Sequence, residues 1–242
     1  MDYVLISKLN DIAIRNRLAR KACFWCQEFL WMAVLLKRKF FKHKKKQNLE
    51  KSIDLIYTED YLEDLIQWES FFSLDLARVL TSYFHPHSVV DIGCGCGVYL
   101  KAFYELGIRD IMGYDGSNNS IKKSLVPGKI EVRDLREELK IDRKFDLCLC
   151  TELAEHISCR YSDLLATTLT GLSDTIFFTA ATPGQGGLEH VNEQPHSFWI
   201  GIFKAKGFKF MESLTYEIRG ELKKRNGIRW IVNNLIILKK QI

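Results

Sequence analysis

The chain has 242 residues, 47% of them hydrophobic and 27% charged, with a formal net charge of +5. That length suits one ordinary domain with an appendage, and that much apolar material excludes a disordered polymer. Residues 1–50 hold twelve Lys/Arg against four Asp/Glu, a net of +8 that leaves −3 for residues 51–242, so the basic charge is a property of the front segment and not of the main domain.

The front segment contains ACFWCQEFLWMAVLLKRKFFKHKKK, apolar and aromatic first and strongly basic afterwards. Pro86 is the only Pro or Gly before Gly93, so the whole front end can be helical. Its longest unbroken apolar run, Phe29–Leu36, is far short of the roughly 20 residues a spanning helix needs. Three readings of residues 22–46 stay open: packing on the main domain, contact with an anionic membrane surface, or a grip on RNA phosphates. The domain boundary is placed between a helical extension at 1–50 and a main domain at 51–242.

Residues 57–84 carry helical spacing, with Leu62, Ile66, Leu76 and Leu80 roughly on one side. After His85-Pro86-His87 the pattern turns to alternating units. Strands are expected at 88–92, 110–114, 129–133, 145–150, 174–180, 208–212 and 230–238, and helices at 98–106, 118–124, 135–140, 161–171 and 195–206. Such alternation argues for an α/β fold with a mostly parallel sheet covered on both faces. Residues 213–229 are largely polar, so the last strand is expected to return as an antiparallel hairpin partner.

The seven cysteines show no disulfide framework. Cys94 and Cys96 flank a glycine, Cys148 and Cys150 alternate in an apolar run, and Cys23 and Cys26 lie in an apolar helical stretch; all suit small packing residues. The opening MDYVLISKLND lacks a secretory pattern. A reducing, cytoplasmic location is expected.

In an open α/β sheet, ligands gather where strands end. The first strand ends in Asp91, followed by Gly93, Gly95 and Gly97, a loop that lets backbone approach a ligand. The spacing GxGxG departs from the GxGxxG of dinucleotide folds. Asp115, Gly116 and Ser117 follow the second strand, where an acid about 20 residues after the glycine loop can accept both hydroxyls of a ribose. Asp134 and Leu135 follow the third, a carboxylate for the amino group of adenine and an apolar face for its ring. Three such stations in register make a nucleoside site.

Together DIGCGCG, GYDGS, RDL and FDLCLCTELAEHI resemble the class I S-adenosylmethionine-dependent methyltransferases, over roughly residues 57–242. The stretch TAATPGQGGLEHVNEQPHSFWIGIFKAKGF is similar to one subgroup of that family. The resemblance implies a Rossmann-like seven-stranded sheet of order 3-2-1-4-5-7-6 with strand 7 antiparallel. It also implies S-adenosylmethionine as cofactor, with Asp91 and the three glycines at its methionine end, Asp115 with Gly116 and Ser117 at the ribose, and Asp134 with Leu135 at the adenine.

The fourth strand delivers Thr151, a further cofactor contact, and then Glu152, Glu155 and His156, spaced to share one face of a helical turn. The fifth delivers a glycine-rich stretch, read as a mobile lid or a long surface turn, and then His190 and His196. Three readings compete. His156 or His190, with Glu155, serves as general base for a hydroxyl acceptor; or Glu152, Glu155, His156 and one of His190 or His196 bind a divalent metal; or Glu155 and His156 only shape the pocket. The E-x-x-E-H stretch resembles that of small-RNA 2′-O-methyltransferases and ubiquinone-pathway O-methyltransferases. The expected function is O-methylation of a small molecule or sugar, with two alternatives: a metal-assisted RNA 2′-O-methyltransferase, or a non-catalytic binding module that keeps the fold. Tyr57 and Tyr61 are candidate substrate contacts, and Trp199, Phe203 and Phe208 are expected in the core.

Overall fold

A computed structural model of the protein describes residues 53–241. The basic segment 22–46, the boundary at residue 50, and Cys23 and Cys26 lie outside the described residues. Thr58 starts the first long helix: its hydroxyl accepts the Tyr61 N–H at 3.3 Å, with Glu59 and Asp60 in the first turn. The elements before the sheet are α1 (Ile53–Ile56) and α2 (Glu59–Phe84), and α2 stops where His85 turns left-handed at φ +46° just before Pro86.

The sheet follows as β1 (Ser88–Ile92), α3 (Val98–Glu105), β2 (Asp110–Asp115), α4 (Asn118–Lys122), β3 (Ile130–Val132) and β4 (Leu147–Thr151). The second half runs α5 (Ser162–Leu172), β5 (Thr175–Thr179), α6 (His196–Ala205), β6 (Phe208–Phe210), α7 (Glu212–Lys224), α8 (Arg229–Asn234) and β7 (Ile236–Lys240). The order is β3-β2-β1-β4-β5-β7-β6. Strands β1 to β5 pair in parallel, and β7 runs antiparallel to both β5 and β6.

Strands β1 and β4 are buried along their whole length, as strands covered on both faces must be. Their side chains alternate between two cores. Val89, Leu147, Leu149 and Phe177 join Phe72, Leu76, Leu80, Phe103, Ile218 and Leu222 from α2, α3 and α7. Val90, Cys148, Cys150, Ile176 and Phe178 join Leu165, Leu169, Trp199 and Phe203 from α5 and α6. Each fully buried Leu, Ile or Phe contributes about 1.5–3 kcal/mol relative to exposure. Cys94, Cys96, Cys148 and Cys150 are all buried free thiols, small packing residues as their spacing suggested.

Three expectations are corrected. Residues 135–140 form no helix, because Asp134 bonds its own following backbone: its Oδ1 accepts the Arg136 N–H at 2.9 Å, a local turn that competes with helix. Within 230–238 the first half is the helix α8, because Ile228, Ile231, Val232 and Leu235 recur at helical spacing and all are buried. Residues 213–229 carry no hairpin. Thr215, Ile218 and Leu222 line the buried stripe of α7, so β6 reaches its antiparallel partner β7 through two helices. Among the described residues, no helix is long and apolar enough to cross a membrane.

The chain lays β2 and β3 to one side of β1, then crosses to β4 on the other. The carboxyl ends of β1 and β4 therefore flank the point where the order reverses, the place where open sheets of this kind receive ligands.

Candidate active site

Beyond β1 the chain stays tied to β2: the Gly93 and Cys94 N–H groups donate to the Tyr114 carbonyl at 2.8 and 3.3 Å. Gly97 opens α3 at φ +79°, and a Cβ there would stand 2.7 Å from the Val126 side chain. Gly95, at φ +51°, has no chain atom within 4 Å of where its Cβ would lie. The chain's own packing thus demands glycine at 97, whereas Gly95 faces open space.

Asp115 fixes this loop. Its Oδ2 accepts the Gly95 N–H at 2.9 Å, and its Oδ1 accepts the Ser117 N–H at 2.9 Å and the Ser120 hydroxyl at 2.7 Å. Ser117, 1% exposed, donates its hydroxyl to Asp54 at 2.7 Å, which brings α1 across Gly116, where a Cβ would meet Ile53. Asp134 is held by Arg136 through both carboxylate oxygens and sits below the usual carboxylate range because of that pair. Leu135 is buried.

Behind the glycine loop lies an acidic chamber. Asp91 is 1% exposed and neither of its oxygens has a hydrogen-bond partner. Burial, and then the charge of Asp115, push its carboxyl up to about 7. The Thr151 and Tyr99 hydroxyls are likewise buried without partners. Glu69 of α2 joins this group, pushed up to about 8 by burial and by the charges of Asp91 and Glu152. Sequence reasoning missed Glu69, although the signal was there: it sits three, four, seven and eleven residues before the buried Phe72, Ser73, Leu76 and Leu80, an acid continuing an apolar stripe.

The end of β4 departs from the expected helical face. Glu152 is left-handed at φ +49°, and residues 154–156 make a single 3₁₀ turn. Glu152 stays close enough to Glu155 for its charge to act on it, but its carboxylate accepts Asn234 Nδ2 at 3.1 Å and Gln185 Nε2 at 3.4 Å. Glu155 is fully buried, with no hydrogen-bond partner on either carboxylate oxygen. Burial and the Glu152 charge push it up to about 9, so it holds its proton at neutral pH.

His156 is pushed down to about 4, by burial and then by the neighbouring His190, and is therefore neutral. Its ring meets that of His190 edge to face at 5.0 Å and that of Tyr57 at 6.0 Å, which places Tyr57 at the site, while Tyr61 packs behind Tyr57. Ligand atoms of Glu155, His156 and His190 lie within 4.8 Å of one another, a set that could hold a cation. Of the four expected metal ligands these three come together and Glu152 does not; His196 also stands outside the group. Trp199, Phe203 and Phe208 are core residues.

The stretch read as a lid or a surface turn is a loop drawn together by hydrogen bonds to one of its own side chains. Gly184 and Gly186 donate backbone N–H groups to Glu193 at 2.8 and 2.7 Å, and His190 Nδ1 shares a 2.9 Å hydrogen bond with the same carboxylate. Val191 and Asn192 donate their N–H groups to the Glu155 carbonyl at 2.8 and 3.0 Å. Glu193, absent from the sequence-based candidates, is thus central to the loop.

A family model described as a methyltransferase domain matches residues 69–198. A comparison with curated proteins finds no match. Among solved structures, the plantazolicin methyltransferase BpumL in complex with SAH is 18% identical, with a TM-score of 0.54 over 78% of this chain and 93% of that one. The same enzyme with SAH and a pentazolic desmethylPZN analog gives 17% identity and a TM-score of 0.53 over 77% and 95% of the two chains. A complex of the Haloferax volcanii Trm112 methyltransferase activator with its candidate methyltransferase gives 16% identity and 0.51, over 63% and 76%.

Proposed function

The chain belongs to the class I S-adenosylmethionine-dependent methyltransferases, through a methyltransferase domain at residues 69–198, and from that premise we propose that it methylates a hydroxyl of a small molecule. The residues present suit this cofactor. A sulfonium and an α-ammonium are two positive charges, and the chamber offers Asp91, whose oxygens are buried and unpartnered, with Glu69 and Glu152 beside it. The open space at Gly95, the Thr151 hydroxyl and the ribose and adenine stations at Asp115, Gly116, Ser117, Asp134 and Leu135 complete the set. When bound, the cofactor supplies an activated methyl group.

The observation that carries the hydroxyl reading is the meeting of His156 and His190 at 5.0 Å, beside the buried Glu155. A hydroxyl is a weak nucleophile until its proton leaves, and a neutral imidazole is the side chain suited to accept that proton near neutral pH. With the cofactor bound, the methyl would leave the sulfonium, whose sulfur keeps the bonding pair as a neutral thioether. One imidazole would accept the proton that the hydroxyl gives up, and the protonated Glu155 would add no negative charge to the pocket. BpumL acts on plantazolicin, by its name, so a modified peptide is a further acceptor class to include in the test.

A second reading has its own support. The unpartnered carboxylate of Glu155, the unpartnered Nδ1 of His156 and the nearby His190 form a set suited to a divalent metal that would grip vicinal hydroxyls, as in RNA 2′-O-methylation. Transfer of labelled methyl into a host extract, fractionated into RNA, peptide, lipid and small molecules, separates the two. Label in small molecules that survives chelation is expected. Label in RNA that vanishes on chelation would replace the first reading by the second, and cofactor binding without any transfer would favour a binding module.

The chamber also predicts a pH effect. Below about 7 Asp91 carries a proton, as Glu69 does below about 8, and that proton competes with a bound cation. Affinity for S-adenosylmethionine is therefore expected to rise between pH 6 and 8, by up to about tenfold per pH unit for each proton displaced. Calorimetric titration at several pH values measures it, and Asp91→Asn should flatten the profile; an equally steep profile in that variant would remove Asp91 from the account.

A further inference from the structure

The reading above leaves two imidazoles as candidates for one proton transfer, and the loop after β5 distinguishes them. We propose that Glu193 is a positioning residue that holds His190 in its Nδ1–H tautomer and so makes His190 Nε2 the proton acceptor. The inference rests on the hydroxyl reading for its catalytic meaning, but not for its geometry.

The Glu193 carboxylate is the hub of the loop. Its Oε2 accepts the Gly184 N–H at 2.8 Å; its Oε1 accepts the Gly186 N–H at 2.7 Å and lies 2.9 Å from His190 Nδ1. Both backbone donors come from left-handed glycines, at φ +86° and +68°, a conformation that turns successive N–H groups toward one anion. An ionised carboxylate has only acceptors to offer, so the hydrogen in the bond to His190 belongs to Nδ1. The lone pair is then on Nε2.

The ring has little freedom to do otherwise. The side chains of His190 and Glu193 are only 11% and 20% exposed. A Cβ at residue 187 would fall 2.1 Å from His190 Nε2, so the third glycine of the loop is required for the ring to lie where it does. The segment carrying both residues is pinned from below. Val191 and Asn192 bond the Glu155 carbonyl, Asn192 Nδ2 reaches the Ala154 carbonyl at 3.3 Å and Ser162 Oγ at 3.1 Å, and Gln194 N–H reaches the Ala181 carbonyl at 3.3 Å. His156 has no carboxylate on its ring: its Nδ1 is buried without a hydrogen bond, and the hydrogen-bond partners of the ring are backbone groups of Leu188 and Glu189. A carboxylate that orients an imidazole and fixes its tautomer is a recurring arrangement around general bases. It also explains the spacing of the stretch GQGGLEHVNE, whose glycines wrap its last acid.

The test reads the tautomer directly and needs no methyl acceptor. Full-length protein labelled with ¹⁵N-histidine is studied by long-range proton–nitrogen correlation, at a pH where the imidazole is neutral, with His190 assigned by its loss in His190→Asn. The expected wild-type spectrum has a pyrrole-type nitrogen at Nδ1 and a pyridine-type nitrogen at Nε2. In Glu193→Ala, which removes the acceptor altogether, the His190 signals should move toward the opposite tautomer or a mixture, and Gly187→Ala should shift them as well. A wild-type Nε2–H tautomer overturns the proposal even if Glu193→Ala does not fold, and so does an unchanged Nδ1–H tautomer in a folded Glu193→Ala. The hydroxyl reading fails separately, if the methyl is recovered on nitrogen or carbon, and that outcome leaves the tautomer result standing.

Discussion

Replacing Asp115 with alanine is expected to weaken S-adenosylmethionine binding by at least tenfold and to lower thermal stability at the same time. The carboxylate accepts three hydrogen bonds, from the Gly95 and Ser117 N–H groups and the Ser120 hydroxyl, and alanine leaves all three donors without their acceptor. Hydrogen bonds to charged groups contribute about 1.5–3 kcal/mol each, and tenfold in affinity is about 1.4 kcal/mol, so loss of part of this network suffices. Because the bond to Gly95 shapes the loop from beneath, the effect does not depend on direct contact with a ribose. Asparagine retains one acceptor oxygen and should fall between the two. Titration calorimetry and thermal melts on the same preparations measure both effects; unchanged affinity in Asp115→Ala would remove the residue from the cofactor site.

The second large effect separates two glycines that look equivalent in the sequence. Gly95→Ala meets no chain atom, so its cost to the fold is the left-handed backbone alone, about 1–2 kcal/mol. At about 2–4 °C per kcal/mol for a chain of this size, the melting temperature falls by a few degrees. Affinity for S-adenosylmethionine should fall tenfold or more, because the new methyl occupies the space left open beside the loop. Gly97→Ala carries the same backbone strain and also drives its Cβ to 2.7 Å from Val126, adding an overpacking cost of about 1–3 kcal/mol. It should be the less stable protein. Equal melting temperatures would contradict the packing at Gly97, and wild-type affinity in Gly95→Ala would show that the cofactor does not use that space.

Much of this molecule is determined by short-range pattern. The apolar runs of β1 and β4 can be strands only if buried on both sides, and their alternation with helical stretches dictates a parallel sheet. The acids and glycines at the ends of β1 and β2 are likewise visible, because strand ends in such a sheet are where a ligand meets the chain. Local reading failed where two periodicities overlapped, as at 228–238, or where one side chain captured its own backbone, as Asp134 does before a stretch expected to be helical.

What only the tertiary structure decided is how distant polar groups pair. Spacing placed Glu152, Glu155 and His156 on one helical face, but Glu152 turns left-handed and is taken by Asn234, 82 positions away. Glu69 becomes part of an acidic group only once folding brings it within reach of the charges of Asp91 and Glu152. Glu193 looks like a surface acid until the glycines of its own loop close around it. Hydrophobic burial needs only the right residues at the right period, so it is written in the sequence. The state of a buried acid or imidazole is set by which charge or hydrogen-bond partner lies within a few ångströms, and that is known only when the chain has folded.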